Sequence, residues 1–478
     1  MSEETGLPDR LRSLHPGQRL ALVAVVGFLL FVGASWATAQ PPGPGIDEDP
    51  VNGNVSDNWS EYDERATLIG LQGPFTGRQG RAVLVSGDRS ASGDRPLEWQ
   101  SQESWANFDV TPLSDGRVLT AFIEKNPTRT GFRIYDIGAG TSEPSREWTF
   151  PVARTHNSEV HDVEMLPNGE VLVVDMVAER VMAVDQSGDV TWQWNASDRY
   201  TSPDNPGAQD WLHLNDVDRI GEDRYLVSVR NANQLVIVER GEGVVEVINE
   251  DDGSSDTTCR EGGNRLVPGD DGDVKCGNPD VIQEQHNPQW IGEGRVLVAD
   301  SDNNRVTELR RQDGEWRPVV NYTGANGIAF NWPRDADLLD NGNILVTDTF
   351  NERVVEINRS TGETVWSVST GDTSIPYEAD RLPEGEYPSS LRNNTDGNGT
   401  GTSTPPGTDT STPPGTDTPF PSIDDGPERT EIPVITLLFR TLKGMVPVPH
   451  WATQWHLAAF FVTLFGSGFG MVWSYRDR

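Results

Sequence analysis

The chain has 478 residues, 35% of them hydrophobic, and a formal net charge of −36 at pH 7. This length allows a large buried core, and the strong acidity argues against binding to nucleic-acid backbones, so we expect no nucleic-acid partner. Lysine is nearly absent and arginine carries the positive charge. We interpret this as a halophilic adaptation to high salt, which screens charge repulsion; an acidic protein from an ordinary habitat is the alternative.

The first predicted element is a membrane anchor. Residues 20–39 are uncharged and about as long as a bilayer core is thick. They follow the basic residues Arg10, Arg12 and Arg19. We therefore predict a cytoplasmic segment at 1–19 and a transmembrane helix or signal anchor at 20–39. The small residues at 37–39 also resemble a signal-peptide cleavage site, so a cleaved signal peptide is the competing interpretation.

A linker at 40–63 leads to a sequence repeat. Its clearest copies are His161–Asp175 and Arg334–Asp348, and each contains an Asn-Gly hairpin turn between two apolar runs. A period of roughly 40 to 50 residues with a hairpin in each unit predicts a β-propeller with four strands per blade. We assign residues 64–388 to this propeller and expect an all-β fold.

Two half-repeats at the ends of the domain predict how the ring closes. Residues 66–71, 81–85 and 96–100 resemble the three outer strands of a blade, but no inner strand precedes them. Residues 377–383 resemble an inner strand with no outer strands after it. Pairing the two halves would complete a sixth blade and remove the exposed sheet edges.

The residues that open the inner strands should meet at one mouth of the central channel. They are Phe108, His161, Asn215, His286, Arg334 and Tyr377. These are unlike groups, as a catalytic site requires. Four of the seven histidines, at 156, 161, 213 and 286, fall at or just before inner-strand starts. Since neutral imidazole can act as a nucleophile, acid or base near physiological pH, we predict a site here.

The next residue along each inner strand is almost always acidic. The positions are Asp109, Asp162, Asp216, Asn287, Asp335 and Glu378. Because a residue repeated in every blade usually does a job that every blade needs, we interpret this ring as structural. We likewise expect Arg180, Arg305 and Arg353 to clamp neighbouring blades.

Three further features suggest an extracellular protein: a disulfide, a stalk and glycosylation sites. Cys259 and Cys276 bracket a Gly/Asp-rich insertion, where we predict a disulfide, with two free thiols as the alternative. A Thr/Pro-rich tract at 389–427 predicts a disordered stalk. A juxtamembrane segment at 428–450 and a transmembrane helix at 455–475 follow. Candidate N-glycosylation sites, which suggest a glycoprotein, are Asn54, Asn58, Asn195, Asn321, Asn358, Asn393 and Asn398.

Basic residues precede the first apolar segment, and Arg476 and Arg478 follow the second. We therefore expect both termini in the cytoplasm, the propeller on the extracellular face of the cell membrane, and the lipid membrane as a partner.

One run of residues carries a family resemblance. His213-Leu214-Asn215, followed by Ser228-Val229-Arg230-Asn231, is similar to the His-x-Asn and Ser-x-Arg-Asn pattern of the arylsulfate sulfotransferases (ASST). His161-Asp162 before a Leu-Pro-Asn-Gly hairpin, and His286-Asn287-Pro288, resemble the other two histidine positions of that family. The resemblance extends over about residues 64–385, and the family consists of six-bladed propellers that work outside the cytoplasm.

The resemblance implies sulfuryl transfer from an aryl sulfate to a phenolic acceptor, without a nucleotide donor. A sulfohistidine would form on His286, with His213 and His161 for sulfate binding and proton transfer, and Arg230 to neutralise the sulfuryl oxygens. The expected substrate-binding residues are Asn215, Arg334, Asn287 and Tyr377. No cofactor and no metal ion are expected.

Two other interpretations remain open. Residues 298–306 and 346–354 resemble NHL-type propeller repeats, many of which only bind partners. On that interpretation the chain is a non-catalytic cell-surface binding or adhesion module. Alternatively, three imidazoles at the mouth could hold a divalent metal ion, although no local His-x-x-x-His spacing supports this.

Overall fold

The computed structural model describes residues 14–38, 43–47, 55–72, 79–152, 157–250, 266–371, 375–386 and 454–476, together with positions 253, 259, 435, 438 and 452. The predicted stalk at 389–427, most of the juxtamembrane segment, His156 and the Asn54, Asn393 and Asn398 acceptor sites lie outside these residues. The chain divides into two compact units, Pro42–Pro427 and a terminal unit made of Met1–Pro41 and Glu428–Arg478.

The terminal unit contains two helices, α1 (Pro16–Thr38) and α2 (Gln454–Arg476). Both are long and apolar enough to cross a membrane. They pack through aromatic contacts, including a stacked pair between Phe31 and His456 with ring centroids 4.4 Å apart. Large apolar side chains such as Leu29 and Phe465 point outward on these helices. An outward apolar surface of this kind suits contact with lipid.

The other unit is a six-bladed β-propeller, as the repeat predicts. The inner strands of blades two to six are β5 (Ala106–Pro112), β9 (Val163–Met165), β13 (Leu214–Gly221), β17 (His286–Gly292) and β23 (Asp335–Leu338). The second strands are β6 (Arg117–Ile123), β10 (Val171–Asp175), β14 (Arg224–Val229), β18 (Arg295–Asp300) and β24 (Ile344–Asp348). The third are β7 (Arg129–Asp136), β11 (Arg180–Val184), β15 (Gln234–Glu239), β19 (Arg305–Gln312) and β25 (Arg353–Ile357). The outer strands are β8 (Arg146–Pro151), β12 (Val190–Asn195), β16 (Gly243–Ile248), β20 (Glu315–Tyr322) and β26 (Thr364–Ser369).

The first blade is assembled from both ends of the unit. Strands β2 (Thr67–Leu71), β3 (Arg81–Val85) and β4 (Arg95–Gln100) are joined by β27 (Pro376–Arg381), which pairs antiparallel with β2. The two-residue strand β1 (Ile46–Asp47) adds to the outer edge of β4, and a small hairpin, β21 (Gly324–Ala325) with β22 (Ile328–Ala329), precedes the sixth blade. The closure predicted from the two half-repeats is therefore confirmed.

Apolar side chains of adjacent blades pack face to face and form the core. Between the second and third blades, for example, Leu119 and Phe132 pack with Val171 and Met182, and all four are buried. Tight turns keep the strands short: Gly169 and Gly342 adopt φ of +83° and +80° in the Asn-Gly hairpins, which favours glycine. A disulfide joins Cys259 and Cys276, as predicted.

The three arginines predicted to clamp neighbouring blades each form an ion pair with an aspartate of their own blade, as Arg353 does with Asp348 at 2.8 Å. This aspartate ends the second strand and lies directly opposite the arginine that opens the third. The other two pairs are Asp175 with Arg180 at 2.9 Å and Asp300 with Arg305 at 2.6 Å.

Arg305 also donates to the carbonyls of Asp280 and Val281, and Arg353 to those of Ala325 and Ile328, in the segments that join their blades to the preceding ones. The prediction is wrong for Arg180, because its partners Asp175 and Gln193 lie in its own blade.

Candidate active site

Unlike side chains at the inner-strand starts converge at one mouth of the channel. The ring centroid of His161 lies 4.5 Å from that of Phe108 and 5.4 Å from that of Tyr377. The ring centroid of His286 lies 5.9 Å from that of Tyr377. The convergence follows from the fold, because six inner strands that run around one axis bring their first residues to the same end.

His213 joins this cluster from the loop that precedes β13. Its ring centroid is 5.2 Å from that of His161. The backbone at His213 has φ of +56°, an uncommon value for a residue with a Cβ. Strain of this kind persists only where the surroundings enforce it. Here Glu179 accepts backbone N–H bonds from Leu212, His213 and Leu214, at 3.0, 3.0 and 3.1 Å.

The hydrogen bonds of His286 fix its tautomer. Its Nδ1 faces the backbone carbonyl of Glu284 at 3.1 Å and the hydroxyl of Ser301 at 2.8 Å. A carbonyl can only accept, and the Ser301 hydroxyl donates its own proton to the carbonyl of Pro333 at 2.6 Å. Nδ1 therefore carries the hydrogen, and Nε2 keeps the lone pair.

The surroundings of His286 also keep it neutral. Burial lowers its pKa well below the usual value, and the positive charges of Arg334 and Arg230 lower it further. The pKa of His161 is lowered in the same direction, by burial and by its neighbours His213 and Arg334. A buried neutral imidazole with an available lone pair is a suitable nucleophile.

His213 is held differently, by a carboxylate. Its Nδ1 is 2.8 Å from Asp210 Oδ2, and Asn157 Nδ2 also donates to that oxygen at 2.7 Å. Although Asp210 is largely buried, the neighbouring His213 and Arg230 hold its pKa below the usual value. The carboxylate therefore orients the imidazole, an arrangement suited to proton transfer.

Two arginines bring positive charge to the site. The guanidinium carbon of Arg334 lies 4.3 Å from the ring centre of Trp332 and 4.5 Å from that of Tyr377, so cation–π contacts orient it. Arg230, in a short turn after β14, forms a close ion pair with Glu284, the residue whose carbonyl contacts His286. The neighbouring Asn231 donates to the carbonyl of Asp210 at 3.3 Å and so supports the loop that carries His213.

The two predicted asparagines donate to groups of the protein. Asn215 is fully buried and donates to the backbone carbonyl of Gln285 at 2.9 Å. Asn287 donates to Glu378 Oε2 at 3.0 Å, within the acidic ring. Arg334 contacts Tyr377, and Tyr377 contacts His161 and His286.

Sequence reasoning missed four contributors: Asp210, Ser301, Trp332 and Glu179. Asp210 stands three residues before His213, and Trp332 two residues before Arg334, so proximity to a predicted residue was the available signal. Ser301 directly follows β18 and carries no motif. Glu179 acts from another blade across more than 30 residues, and nothing in the sequence indicates it.

Comparison with known proteins bears on this site. Residues 150–323 match the family model for arylsulfotransferase (ASST). The arylsulfotransferase match includes His161, His213, Arg230 and His286, but it ends before Arg334 and Tyr377. No curated protein matches the chain.

Solved structures resemble the propeller only distantly. One is a protein of unknown function from Bacteroides caccae, at 14% identity and a TM-score of 0.44, over 66% of this chain and 98% of that one. Another is the periplasmic gluconolactonase of Pseudomonas aeruginosa, at 15% and 0.37, over 63% and 80%. A third is the virginiamycin B lyase of Staphylococcus aureus, at 10% and 0.34, over 66% and 86%. At these TM-scores we infer no activity from them.

Proposed function

We propose that this protein transfers a sulfuryl group from an aryl sulfate to a phenolic acceptor through a sulfohistidine on His286. The observation that carries the proposal is the environment of this imidazole. Its Nδ1–H is bound by the Glu284 carbonyl and by Ser301, so Nε2 keeps a lone pair. Two arginines lower the pKa of the ring and supply charge for an anionic group.

In the first half-reaction, Nε2 of His286 attacks the sulfur of the aryl sulfate. An N–S bond forms while the S–O bond to the aryl group breaks, and the electron pair leaves with the phenolate. Arg334 and Arg230 offset the charge on the sulfuryl oxygens. His213, held at Nδ1 by Asp210, gives the phenolate a proton from Nε2.

In the second half-reaction, the phenolic acceptor takes the place of the departed phenol. His213, now neutral, removes the phenolic proton as the acceptor oxygen attacks sulfur. The N–S bond breaks and its electrons return to Nε2 of His286. Proton and electron counts balance without a nucleotide, a metal ion or an oxidant. His161 and Tyr377, joined by a 3.1 Å hydrogen bond, complete the wall beside the sulfate.

We further propose that this reaction occurs outside the cytoplasm, on a membrane-anchored protein with both termini inside. Two helices that could span a membrane support the anchoring. The single disulfide supports an oxidising compartment.

The test uses the purified full chain in detergent at high salt, with a chromogenic aryl sulfate and a phenol. His286→Ala and His286→Gln should each lower transfer by roughly 1,000-fold or more, because the covalent step is lost. Mass spectrometry should detect one added SO₃ group on the wild type before acceptor is supplied, and none on either variant. His456→Ala, in the terminal unit, is the control and should retain full activity.

Two results would contradict the proposal. Retained transfer in both His286 variants would assign the nucleophile elsewhere, with His213 as the next candidate. Absence of any transfer by the wild type, with aryl sulfates bound equally by both variants, would favour the NHL-like binding module.

A further inference from the structure

One residue further along each inner strand than the site residues, the channel is lined by the mostly acidic positions described above, here called the acidic ring. Its six members are Asp109, Asp162, Asp216, Asn287, Asp335 and Glu378, and all are buried. Concentrating five carboxyl groups in a buried channel is unfavourable unless each is compensated. The compensation that the structure shows is incomplete.

Some carboxyl oxygens of the acidic ring accept hydrogen bonds from backbone N–H groups and so stabilise the fold. Inner strands of neighbouring blades belong to different sheets, so some of their backbone N–H groups need acceptors other than a strand. Asp162 Oδ2 accepts from the N–H of Val217 in the next blade at 2.7 Å. Asp335 Oδ2 accepts from that of Ala379 at 2.9 Å. These bonds support the structural role predicted for the ring.

Some of the other oxygens are unused. Among the described residues, Asp216 Oδ2 and Asn287 Oδ1 have no hydrogen-bond partner. Asn287 is the informative one, because it is an amide and only 8% exposed. Its Nδ2 donates to Glu378 Oε2 at 3.0 Å, which places the amide group beside this carboxyl group. Leaving a buried acceptor unsatisfied is unfavourable, so a missing partner is expected.

The geometry suits a metal ion. One oxygen from each of Asp109, Asp162 and Glu378 lies within 4.8 Å of the others. Since Ca²⁺ binds oxygen ligands at about 2.3–2.6 Å, two ligands on opposite sides of the ion are about 5 Å apart at most. All the donors are oxygens, which favours a hard cation over zinc. Ca²⁺ also accepts irregular sets of six to eight ligands, whereas Mg²⁺ requires a near-ideal octahedron.

We propose that the propeller channel binds one Ca²⁺ between Asp109, Asp162 and Glu378, with the Asn287 amide oxygen as a further ligand. This departs from the sequence-based expectation of no metal ion, and it is independent of sulfuryl transfer. A bound divalent cation would offset the mutual repulsion of the three carboxylates.

The experiment uses the full chain, treated with a chelator and dialysed into buffered NaCl. Isothermal titration with CaCl₂ should give one binding event per chain, and differential scanning calorimetry should show Tm rising by several degrees. Asp162→Asn and Glu378→Gln should each weaken Ca²⁺ binding at least tenfold. Asp300→Asn removes a buried carboxylate that pairs with Arg305 outside the ring, and it should bind Ca²⁺ like the wild type.

The wild-type titration decides the question even if a ring variant fails to fold. No heat of binding and no Tm shift in the wild type would overturn the proposal and leave the ring neutralised by protons. Binding of Mg²⁺ in preference to Ca²⁺ would overturn the assignment of the ion. Equal Ca²⁺ affinity in Asp162→Asn, Glu378→Gln and the wild type would place the ion elsewhere.

Discussion

The histidines at the channel mouth are held by different partners. His286 donates from Nδ1 to Ser301 and to a carbonyl, while His213 faces the carboxylate of Asp210. Burial and the nearby arginines lower the pKa of His286 and keep its ring neutral, whereas the Asp210 carboxylate orients the His213 ring. The same residue type can therefore serve as the nucleophile in one place and as the proton carrier in another.

Ser301 is predicted to be a positioning residue. In Ser301→Ala, Nδ1 of His286 keeps only the more distant Glu284 carbonyl, so the ring gains rotational freedom and tautomer control weakens. A net hydrogen-bond contribution of about 1 kcal/mol corresponds to roughly a fivefold to tenfold lower kcat. KM should change little, because Ser301 is not expected to touch the aryl sulfate. Steady-state kinetics with the chromogenic donor measures both parameters.

Thr349 provides the matched control. It directly follows β24, as Ser301 follows β18, and it is fully buried. Thr349→Ala should leave kcat unchanged. An equal drop in kcat for both variants would show that Ser301 acts only through general packing.

The sequence located the starts of the inner strands to within two residues, because strand period and hairpin turns determine those positions. It could not assign the side-chain partners of these residues. The bond from the Asn287 amide to Glu378, for example, follows from no motif. Trp332, which contacts both Arg334 and His286, carries no repeat signal. Side-chain direction within a converging ring depends on packing across blades, which a single-sequence pattern does not encode.

At the scale of elements, the loop before β13 depends on one carboxylate from the third blade. Glu179 binds three successive N–H groups where the chain turns through positive φ at His213. The loop is thus held from outside its own blade. This explains how a strained residue can keep a fixed orientation in the site.

Glu179→Gln should both destabilise the propeller and reduce activity. The amide NH₂ group would replace one accepting oxygen and face an N–H donor, which leaves a buried group unsatisfied. The expected loss is about 1–3 kcal/mol in the free energy of unfolding, measured by denaturant titration. Transfer should fall as well, because His213 loses its orientation.

An exposed carboxylate provides the comparison. Glu363 lies in the hairpin before β26, and Glu363→Gln should change neither stability nor transfer. If Glu179→Gln behaves like Glu363→Gln, the strained loop must be held by other contacts.

At the scale of the whole molecule, the repeat predicted six blades because its copies could be counted, and the two half-copies predicted closure. Longer-range pairings were less accessible. Arg180 was assigned a role between blades, whereas the strand ladder places it beside Asp175 of its own blade. Counting repeats establishes architecture, but it does not establish which neighbour a long side chain reaches.

Membrane topology gives a prediction at this scale. If both helices span the membrane with their basic flanks inside, protease added to intact cells should first cut within residues 389–427, because that tract is predicted to be unfolded. Immunoblotting against an N-terminal tag reports the fragment size. Cleavage near Arg10 with the tract protected would invert the orientation. Permeabilised cells, where both regions should be cut, serve as the control.

The way β27 completes the first blade has a consequence for biosynthesis. Arg381 contacts Thr67 across 314 residues of sequence, so β2 has no inner partner until nearly the whole propeller has left the ribosome. At roughly 5–20 residues per second, this delay is about 15 to 60 seconds. Throughout that interval an unpaired strand edge is open to association with other nascent chains. Productive synthesis therefore depends on shielding the N-terminal strands until the last one arrives.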